Sequence, residues 1–330
     1  MTKCEVDNEL DFVSQIGHSG EPAGTCLVVE LARDFWTIWP KISIANSTTK
    51  CSVAENNVRV GLRIINEFDG HPDVNQEQLM LAAINHDTRF VEGVDQETSE
   101  FQLVSQCANL RTVSKTRANR QIDQLAAELT HVRRDMLLSS THWEDDSEHT
   151  LTTALIAWKV ASKHAPELNI AEIIKMALVH ELTETITGDV SSFNLSKEQL
   201  EEKGRNDTRA AQKFAEKYAD CPKLVKKFLE YENKETPEAL FVYWIDKIMP
   251  GFPTYHPIER THFLAPSREI YEHDGSAHPG RNGNRKTIAK WHQNTKTKLL
   301  AAGQVPHPIC EELLAQGLRW LEWLVENHVK

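Results

Sequence analysis

The ten residues His180-Glu-Leu-Thr-Glu-Thr-Ile-Thr-Gly-Asp189 (HELTETITGD) carry most of what the sequence predicts about fold and chemistry. Apolar residues recur upstream of them at three- and four-residue steps, so we predict an amphipathic helix from Ile170 to Ile186. On this helix Glu181 and Glu184 share one stripe, with the imidazole of the first residue of the motif beside it. The final aspartate follows just past the helix end. The segment therefore offers an imidazole and several carboxylates to one side.

Two further candidate ligands lie on other predicted helices. His149 stands at the start of the preceding helix, and Asp246 lies on a later helix that begins at Thr236-Pro237. Two imidazoles and two carboxylates from three helices can converge on one divalent transition metal, and this mixture of nitrogen and oxygen suits Mn²⁺, Fe²⁺, Co²⁺, Ni²⁺ or Zn²⁺. With positions left open, such an ion can hold phosphate and water and polarise a P–O bond. The predicted metal ligands are His149, His180, Glu181 and Asp246.

The composition is that of a soluble globular protein. The chain has 330 residues, of which 40% are hydrophobic and 26% charged, and its formal net charge is −11. Because binding to nucleic acid relies on excess Lys and Arg, we expect a small-molecule partner and no nucleic acid. No run of about 18 apolar residues predicts a membrane span, and the N-terminus lacks the order of a signal peptide. The six scattered cysteines are typical of reduced thiols, so we predict a cytoplasmic protein.

Helical periodicity dominates the rest of the chain and strand signals are few, so the predicted fold class is all-α. Ile309 to Val329 predicts a strong amphipathic helix, whose Trp320 and Trp323 we interpret as a core or dimer stripe. The apolar stripe from Ile122 to Met136 predicts a helix that bridges the two halves of the chain. The turn-rich stretch from Glu272 to Arg285 predicts an exposed loop and not a metal cluster.

The motifs resemble those of a known family. Glu144-Asp-Asp-Ser-Glu-His149, followed by HELTETITGD, is similar to the E-S/N-x-x-[DE]-H and H-D-x-x-E-x-x-T-G-D motifs of the HD-superfamily 5′-deoxyribonucleotidases. The segments that begin at Glu230-Tyr-Glu and Trp244-Ile-Asp246 resemble later parts of the same pattern. The resemblance covers roughly Trp143 to Met249. It implies an HD-domain helical bundle, one divalent metal, and release of phosphate from deoxynucleoside 5′-monophosphates.

The resemblance also implies roles for single residues. The four candidate ligands would bind the metal, and Glu184 would act as general acid or base near the attacking water and the leaving alkoxide. Asp189 would contact the sugar of a deoxynucleotide and belongs with Glu184 to the predicted catalytic residues. Trp143 matches the tryptophan of an Arg-Trp pair that packs near the nucleotide. Lys247 is a further predicted substrate-binding residue.

Two residues depart from the family's pattern. Glu181 stands where the family has aspartate, and its extra methylene moves the carboxylate outward by about 1.5 Å. Because site geometry tolerates only about half an ångström, we expect altered metal geometry, a different ion or an inactive site. His142 stands where the family has arginine before the tryptophan, so we expect weaker phosphate binding unless another cation, such as Lys175 or Lys247, takes over.

A second, degraded copy of the motifs precedes the first. Cys51-Ser-Val-Ala-Glu-Asn56 resembles the family's E-S-V-A-E-H with asparagine in place of histidine, and His86-Asp87 follows thirty residues later. Asp123 resembles Asp246 in its local sequence. Asparagine offers most transition metals only a neutral oxygen, and Phe90 stands where the other copy has its acid–base glutamate, so we expect no chemistry here. This degenerate second site comprises Asn56, His86, Asp87 and Asp123.

We therefore predict two HD-like domains in tandem, a degenerate one over residues 1–130 and one with the metal site and a C-terminal helical extension over 131–330. Since the nucleotidases pair as dimers, the tandem would form a pseudo-dimer within one chain, and a homodimer is possible. Two alternatives stay open: an HD phosphohydrolase acting on a nucleoside triphosphate or signalling nucleotide, and a non-catalytic nucleotide-binding regulator. A dinuclear oxygenase is disfavoured because no histidine occurs between Glu181 and Asp246.

Overall fold

The computed structural model describes residues 26–43, 51–87, 96–108, 116–137, 142–190, 196–254 and 307–327, with a few positions between 290 and 300. Within these residues the protein is helical apart from one two-stranded antiparallel hairpin, which confirms the predicted all-α class. None of the helices in these ranges is long and apolar enough to cross a lipid bilayer. The predicted loop from Glu272 to Arg285 and the position of Phe90 lie outside the described residues.

The helices and strands follow one another in chain order. They are α1 Cys26–Ile42, α2 Val53–Phe68, α3 Gln76–Asn85, α4 Ser99–Ala108, α5 Arg117–Leu129, β1 Arg133–Leu137, β2 Trp143–Asp145, α6 Asp146–His164, α7 Ile170–Val179, α8 Glu184–Thr187, α9 Lys197–Lys217, α10 Pro222–Asn233, α11 Pro237–Ile248, α12 Gly251–Thr254 and α13 Pro308–Asn327.

Local sequence signals set the starts of the three helices that matter for the site. Asp145 caps α6 in a capping box, because its side chain accepts backbone hydrogen bonds and the Glu148 side chain accepts one from the Asp145 backbone N–H at 3.2 Å. Asn169 caps α7. Thr236 caps α11 with Pro237 at its first position, as the sequence predicts.

The continuous helix predicted from Ile170 to Ile186 is divided in two. Helix α7 ends at Val179 and α8 begins at Glu184. Between them the backbone N–H of Glu184 donates to the carbonyl of Glu181 at 3.0 Å, so the chain passes through a tight turn with three-residue spacing. Gly188, with φ of 71°, ends α8. The apolar pattern carries no sign of this break, because both pieces keep the same spacing.

The helix predicted from Ile122 to Met136 is also wrong in its second half. Helix α5 ends at Leu129, where the Thr130 hydroxyl donates to the carbonyl of Ala127 at 2.8 Å, and the chain continues as strand β1. Strand β1 pairs with β2, with Leu137 opposite Trp143. The hairpin brings a segment far from the ligands in sequence to the start of α6.

Buried residues of helices from both halves of the chain form one hydrophobic cluster. Helix α2 packs on α7 with Gly61 against Leu178, where a β-carbon would lie 2.5 Å from Leu178 Cδ1. Only glycine allows this close approach without displacement of the neighbour. At the other end, the Gln316 side chain on α13 accepts a hydrogen bond from the Leu27 backbone of α1 at 3.1 Å. The division near residue 130 and the pseudo-dimer stay predictions.

Candidate metal centre

Four buried side chains converge on one point. His149, His180, Glu181 and Asp246 each offer a ligand atom, and these atoms lie within 4.8 Å of one another. His149 Nε2 lies 3.1 Å from Asp246 Oδ1 and 3.4 Å from Glu181 Oε1, and His180 Nε2 lies 3.4 Å from the same glutamate oxygen. In the described part of the chain, this is the one group of three or more such side chains close enough to hold an ion. The structure thus brings all four predicted ligands together.

Helix ends place these side chains. His149 lies in the first turn of α6, His180 and Glu181 follow α7 directly, and Asp246 lies in the last turn of α11. Helix α7 packs against both α6 and α11, so the ends of three mutually packed helices meet at the cluster. Such side chains are held by the core and not by a mobile loop, which is the arrangement a site with fixed geometry requires.

The two imidazoles present their Nε2 atoms to the cluster. His180 Nδ1 donates a hydrogen bond to the Ala177 carbonyl at 2.7 Å, which leaves its Nε2 lone pair facing the other ligands. That Nε2 is buried and makes no hydrogen bond within the described residues. His149 Nδ1 lies 3.6 Å from Glu144 Oε2, a carboxylate that can orient this ring. A buried nitrogen aimed at carboxylates without a hydrogen bond of its own fits a bound cation.

The charges of the cluster also fit a divalent cation. Burial alone would raise the pKa of both carboxylates, but Arg134 and the imidazoles hold the pKa of Glu181 well below its ordinary value. Lys247 and His149 do the same for the pKa of Asp246. Burial and Arg134 oppose a charged imidazole at His149, yet the surrounding carboxylates outweigh them and raise its pKa to about 9. The donor set therefore offers two anionic oxygens and an imidazole whose proton a metal would displace.

Glu184 lies beside the cluster at the start of α8. Its Oε2 atom is buried and has no hydrogen-bond partner within the described residues. Burial, and then the negative charges of Glu181 and Asp189, raise the pKa of this carboxyl to about 9, so it holds a proton at neutral pH. Asp189 is half-buried just beyond Gly188. Both predicted catalytic residues thus lie near the ligands, while their roles stay predictions.

Arg134 is a close neighbour of the ligands that sequence reasoning missed. Its Nη1 atom lies 2.7 Å from Glu181 Oε1 and 3.2 Å from Asp146 Oδ1, and its Nε lies 3.3 Å from Glu144 Oε2. It lies on β1, in the segment predicted as helix. The helix predicted for this segment gives no hint that the Arg134 guanidinium contacts Glu181, 47 positions later.

The two lysines considered as phosphate contacts differ in position. Lys175 is buried and bonded to Asp69 at 2.5 Å and to Glu172 at 2.8 Å, so the structure does not bring it to the cluster. Lys247 Nζ lies 2.5 Å from Asp246 Oδ2, the carboxylate oxygen that does not face His149. Of the two, only Lys247 stays a predicted substrate-binding residue.

The histidine and tryptophan before α6 have different surroundings. His142 Nε2 lies 2.9 Å from a carboxylate oxygen of Glu148, and this hydrogen bond raises the pKa of the imidazole despite its partial burial. Its ring packs on Trp39 with centroids 5.5 Å apart. Trp143 lies on β2, with the guanidinium of Arg133 at 4.4 Å over its ring. The structure holds His142 in the α6 cap, and a contact of Trp143 with nucleotide stays a prediction.

The predicted degenerate site is only partly assembled, and two buried guanidinium groups enter it. Asn56 donates to Asp87 and accepts from Arg59, and His86 Nδ1 lies 3.1 Å from the Asp87 carboxylate. The fourth member, Asp123, pairs with Arg63 of α2. At the predicted degenerate site, arginine side chains therefore supply positive charge to the residues that would otherwise face a metal ion. Within the described residues the set does not form a cluster like that of the C-terminal ligands.

An open cavity of about 560 Å³ lies between α8 and α9. Lys203 in its wall is close enough to Glu184 for its charge to oppose the rise in the pKa of that carboxyl. Sequence reasoning missed this cavity, since α9 has the charge pattern of a solvated helix. Its lining combines apolar side chains with basic and acidic side chains of α9, among them Ile186, Val190, Glu202, Lys203, Asp207, Arg209, Ala210 and Lys213.

Comparison with known proteins finds similarity in the part of the chain that holds the cluster. Residues 126–263, which include all four predicted ligands, match the family model of the HD domain. A 5′-deoxynucleotidase, hdd1, of Schizosaccharomyces pombe is 36% identical over 89 residues, which cover 25% of this chain and 43% of that protein. The chain thus spans less than half the length of this curated relative. A crystal structure of a predicted metal-dependent phosphohydrolase from Magnetospirillum magnetotacticum MS-1 aligns with TM-score 0.41 and 19% identity, over 62% of this chain and 92% of that one. The match to the HD domain thus covers residues 126–263, which is less than half of the chain.

Proposed function

We propose that this protein is a metal-dependent phosphohydrolase that releases phosphate from deoxynucleoside 5′-monophosphates. The observation that carries the proposal is the buried group of His149, His180, Glu181 and Asp246, whose ligand atoms lie within 4.8 Å of one another. The similarity to a 5′-deoxynucleotidase supports the choice of substrate.

The four side chains would hold one divalent transition metal, Mn, Co, Fe, Ni or Zn. When bound, such an ion polarises the P–O bond and lowers the pKa of water next to the phosphorus. The protein's own contribution is a fixed donor set: Nε2 of both imidazoles and one oxygen each of Glu181 and Asp246. Burial excludes bulk water, so the charges of these groups act on the phosphate with little screening.

Glu184 supplies the proton. Cleavage of a phosphate monoester leaves an alkoxide on the sugar, which must be protonated to leave as an alcohol. The Glu184 carboxyl is protonated at neutral pH because burial and two neighbouring carboxylates disfavour its charge. As the oxygen of water forms its bond to phosphorus, the ester P–O bond breaks and the leaving oxygen takes the Glu184 proton. The proton that the water loses then returns to the Glu184 carboxylate, which restores the group.

Asp189, Trp143 and Lys247 would bind the nucleotide. Asp189 follows α8 at the edge of the cavity that Val190 lines, where a carboxylate can accept a hydrogen bond from a deoxyribose hydroxyl. Lys247, next to Asp246, is placed to offer its ammonium to phosphate oxygens. Trp143, on the hairpin, offers an aromatic face for the base.

A second candidate is an HD phosphohydrolase with a larger substrate, such as a nucleoside triphosphate. The basic side chains Lys203, Arg209 and Lys213 in the cavity beside α8 favour it, because additional phosphates require additional cations. A monophosphate needs none of the three. Glu202 and Asp207 share this lining, and Lys203 Nζ lies 3.4 Å from Asp207 Oδ2.

Phosphate release decides between these functions. The purified protein is incubated with Mn²⁺, Co²⁺ or Mg²⁺ and a panel of nucleoside mono-, di- and triphosphates. We expect release from deoxynucleoside monophosphates, and the outcome that contradicts the first proposal is release from triphosphates alone. No release from any nucleotide, together with no bound metal by elemental analysis, contradicts both.

A variant pair tests the role of Glu184. The variant E184Q should lose turnover and keep its metal, because the amide cannot donate the proton but preserves the shape of the side chain. The matched control is E216Q, which changes an exposed glutamate on α9 and should keep wild-type turnover. Equal turnover in E184Q and E216Q would remove Glu184 from the mechanism.

A further inference from the structure

One half-buried arginine joins three carboxylates around the metal cluster. Arg134 is 14% exposed, and its guanidinium contacts Glu144, Asp146 and Glu181 at 3.3, 3.2 and 2.7 Å. These partners come from β2, from the first turn of α6 and from the turn after α7. A planar guanidinium with several fixed donors can hold such carboxylates in one arrangement, which a lysine ammonium cannot do.

Two of these contacts lead directly to the metal ligands. The oxygen of Glu181 that Arg134 contacts, Oε1, is the same atom that lies 3.4 Å from both His149 Nε2 and His180 Nε2. The Glu144 oxygen that Arg134 contacts, Oε2, lies 3.6 Å from His149 Nδ1. One guanidinium thus orients an anionic ligand and the carboxylate behind an imidazole ligand.

The length of Glu181 makes this orientation necessary. Its carboxylate has one more rotatable bond than an aspartate and reaches about 1.5 Å further from the backbone. Without a lateral partner, the side chain would sample several rotamers and lose entropy when it binds an ion. The contact with Arg134 restricts it to the rotamer in which Oε1 faces the two imidazoles.

We propose that Arg134 is a positioning residue that adapts the longer Glu181 to the metal site. The inference rests on the proposed function only in that it assumes the four residues bind a divalent metal. It differs from the opposite interpretation, in which the guanidinium competes with the metal for Glu181. Two contacts, with Glu144 and Asp146, hold Arg134 on the side of the hairpin and support positioning.

The experiment is a double-mutant cycle on metal affinity. Co²⁺ is titrated into the metal-free forms of the wild-type protein, of R134K, of E181D and of the double variant. Binding is followed by the visible absorption of the ion. We expect R134K to weaken Co²⁺ binding about 10- to 100-fold and to change the band shape, because the ligand geometry relaxes. In the E181D background the shorter carboxylate needs less restraint, so the same change should cost about 3-fold or less.

The control variant is R133K on the same strand. Its guanidinium lies over Trp143, and we expect it to leave Co²⁺ affinity unchanged. If R134K does not fold, E144Q replaces it, since this variant keeps the shape of the Glu144 side chain but weakens its link to Arg134 and His149. We expect E144Q to bind Co²⁺ several-fold more weakly than the wild-type protein does.

Three results would overturn the inference. Tighter Co²⁺ binding by R134K would show competition, and unchanged binding would show that the contact is irrelevant to the site. An equal loss in both backgrounds would show a merely structural role, which does not depend on the length of residue 181. Because no substrate enters this experiment, a protein that binds Co²⁺ as expected but hydrolyses no nucleotide refutes the proposed function alone.

Discussion

Substitution of Gly61 by alanine probes the contact that links the N-terminal helices to the helix that leads into the metal ligands. Helix α2 crosses α7 at this glycine, and the new methyl group would lie 2.5 Å from Leu178 Cδ1. Ordinary carbon–carbon contacts are about 3.5–4.0 Å long, so the two helices or the leucine must shift by about 1 Å. Leu178 is fully buried, so no solvent-facing space is available to it.

The size of the effect follows from two opposing contributions. Overpacking of a well-packed core costs about 1–3 kcal/mol, while alanine in place of glycine within a helix returns about 1 kcal/mol. We therefore expect G61A to lower the free energy of unfolding by about 1 kcal/mol. Gly204 on α9 is exposed, and a β-carbon added there would meet no atom within 4 Å, so G204A should gain about 1 kcal/mol instead.

Thermal unfolding of the two variants, followed by circular dichroism, measures this difference of about 2 kcal/mol, or roughly 3 °C in Tm. The G61A/L178A double variant should lose less stability than the sum of its parts, because the shortened side chain makes room for the methyl group. Equal stabilisation by G61A and G204A, or strict additivity in the double variant, would refute the packing of α2 on α7.

Three other predictions concern buried charges. Glu184 should destabilise the metal-free protein as pH rises from about 4.5 to 9, because its folded-state pKa of about 9 exceeds its unfolded value. The variant E184Q should therefore be more stable than wild type by a few kcal/mol at pH 8 and by almost nothing at pH 4.5. A difference in urea unfolding that stays constant with pH would contradict this. The variant K175M should cost about 3 kcal/mol by removing the buried ammonium that pairs with Asp69, with no change in KM; a raised KM at unchanged stability would restore its role at the phosphate. The variant R63M should have a lower Tm, because it lacks the guanidinium that pairs with Asp123, and it should still bind one metal ion per chain. A second metal ion in the wild-type protein would contradict the interpretation that arginine supplies the positive charge at the degenerate site.

The four members of the cluster could be found from sequence because each belongs to a short motif with a local signal; metal binding by them stays a prediction. His149 follows a capping box, His180 and Glu181 follow an apolar helix, and Asp246 lies about three turns after a Thr-Pro helix start. The all-α class followed from the same periodicity. In each case the evidence lies within one element, and packing of neighbouring elements then brings the residues together.

Features that depend on distant pairing could not be predicted in this way. Arg134 reaches Glu181 only because α5 ends near Thr130 and a hairpin follows. The apolar stripe in the sequence nevertheless continues past Thr130 with helical spacing. Lys175 resembled a free cation in the sequence, but it is paired with Asp69, 106 positions earlier. The turn after Val179 leaves the apolar spacing unchanged and is visible only in backbone hydrogen bonds. Long-range partners of charged residues carry no periodic signal.

We expect His149, His180, Glu181 and Asp246 to hold one divalent metal. Anomalous diffraction at the cobalt edge, from crystals of the protein loaded with Co²⁺, locates the ion. We expect one strong peak about 2.0–2.2 Å from Nε2 of both histidines and from an oxygen of each carboxylate. The absence of a peak among these four side chains, or a peak located elsewhere in the chain, would contradict this expectation.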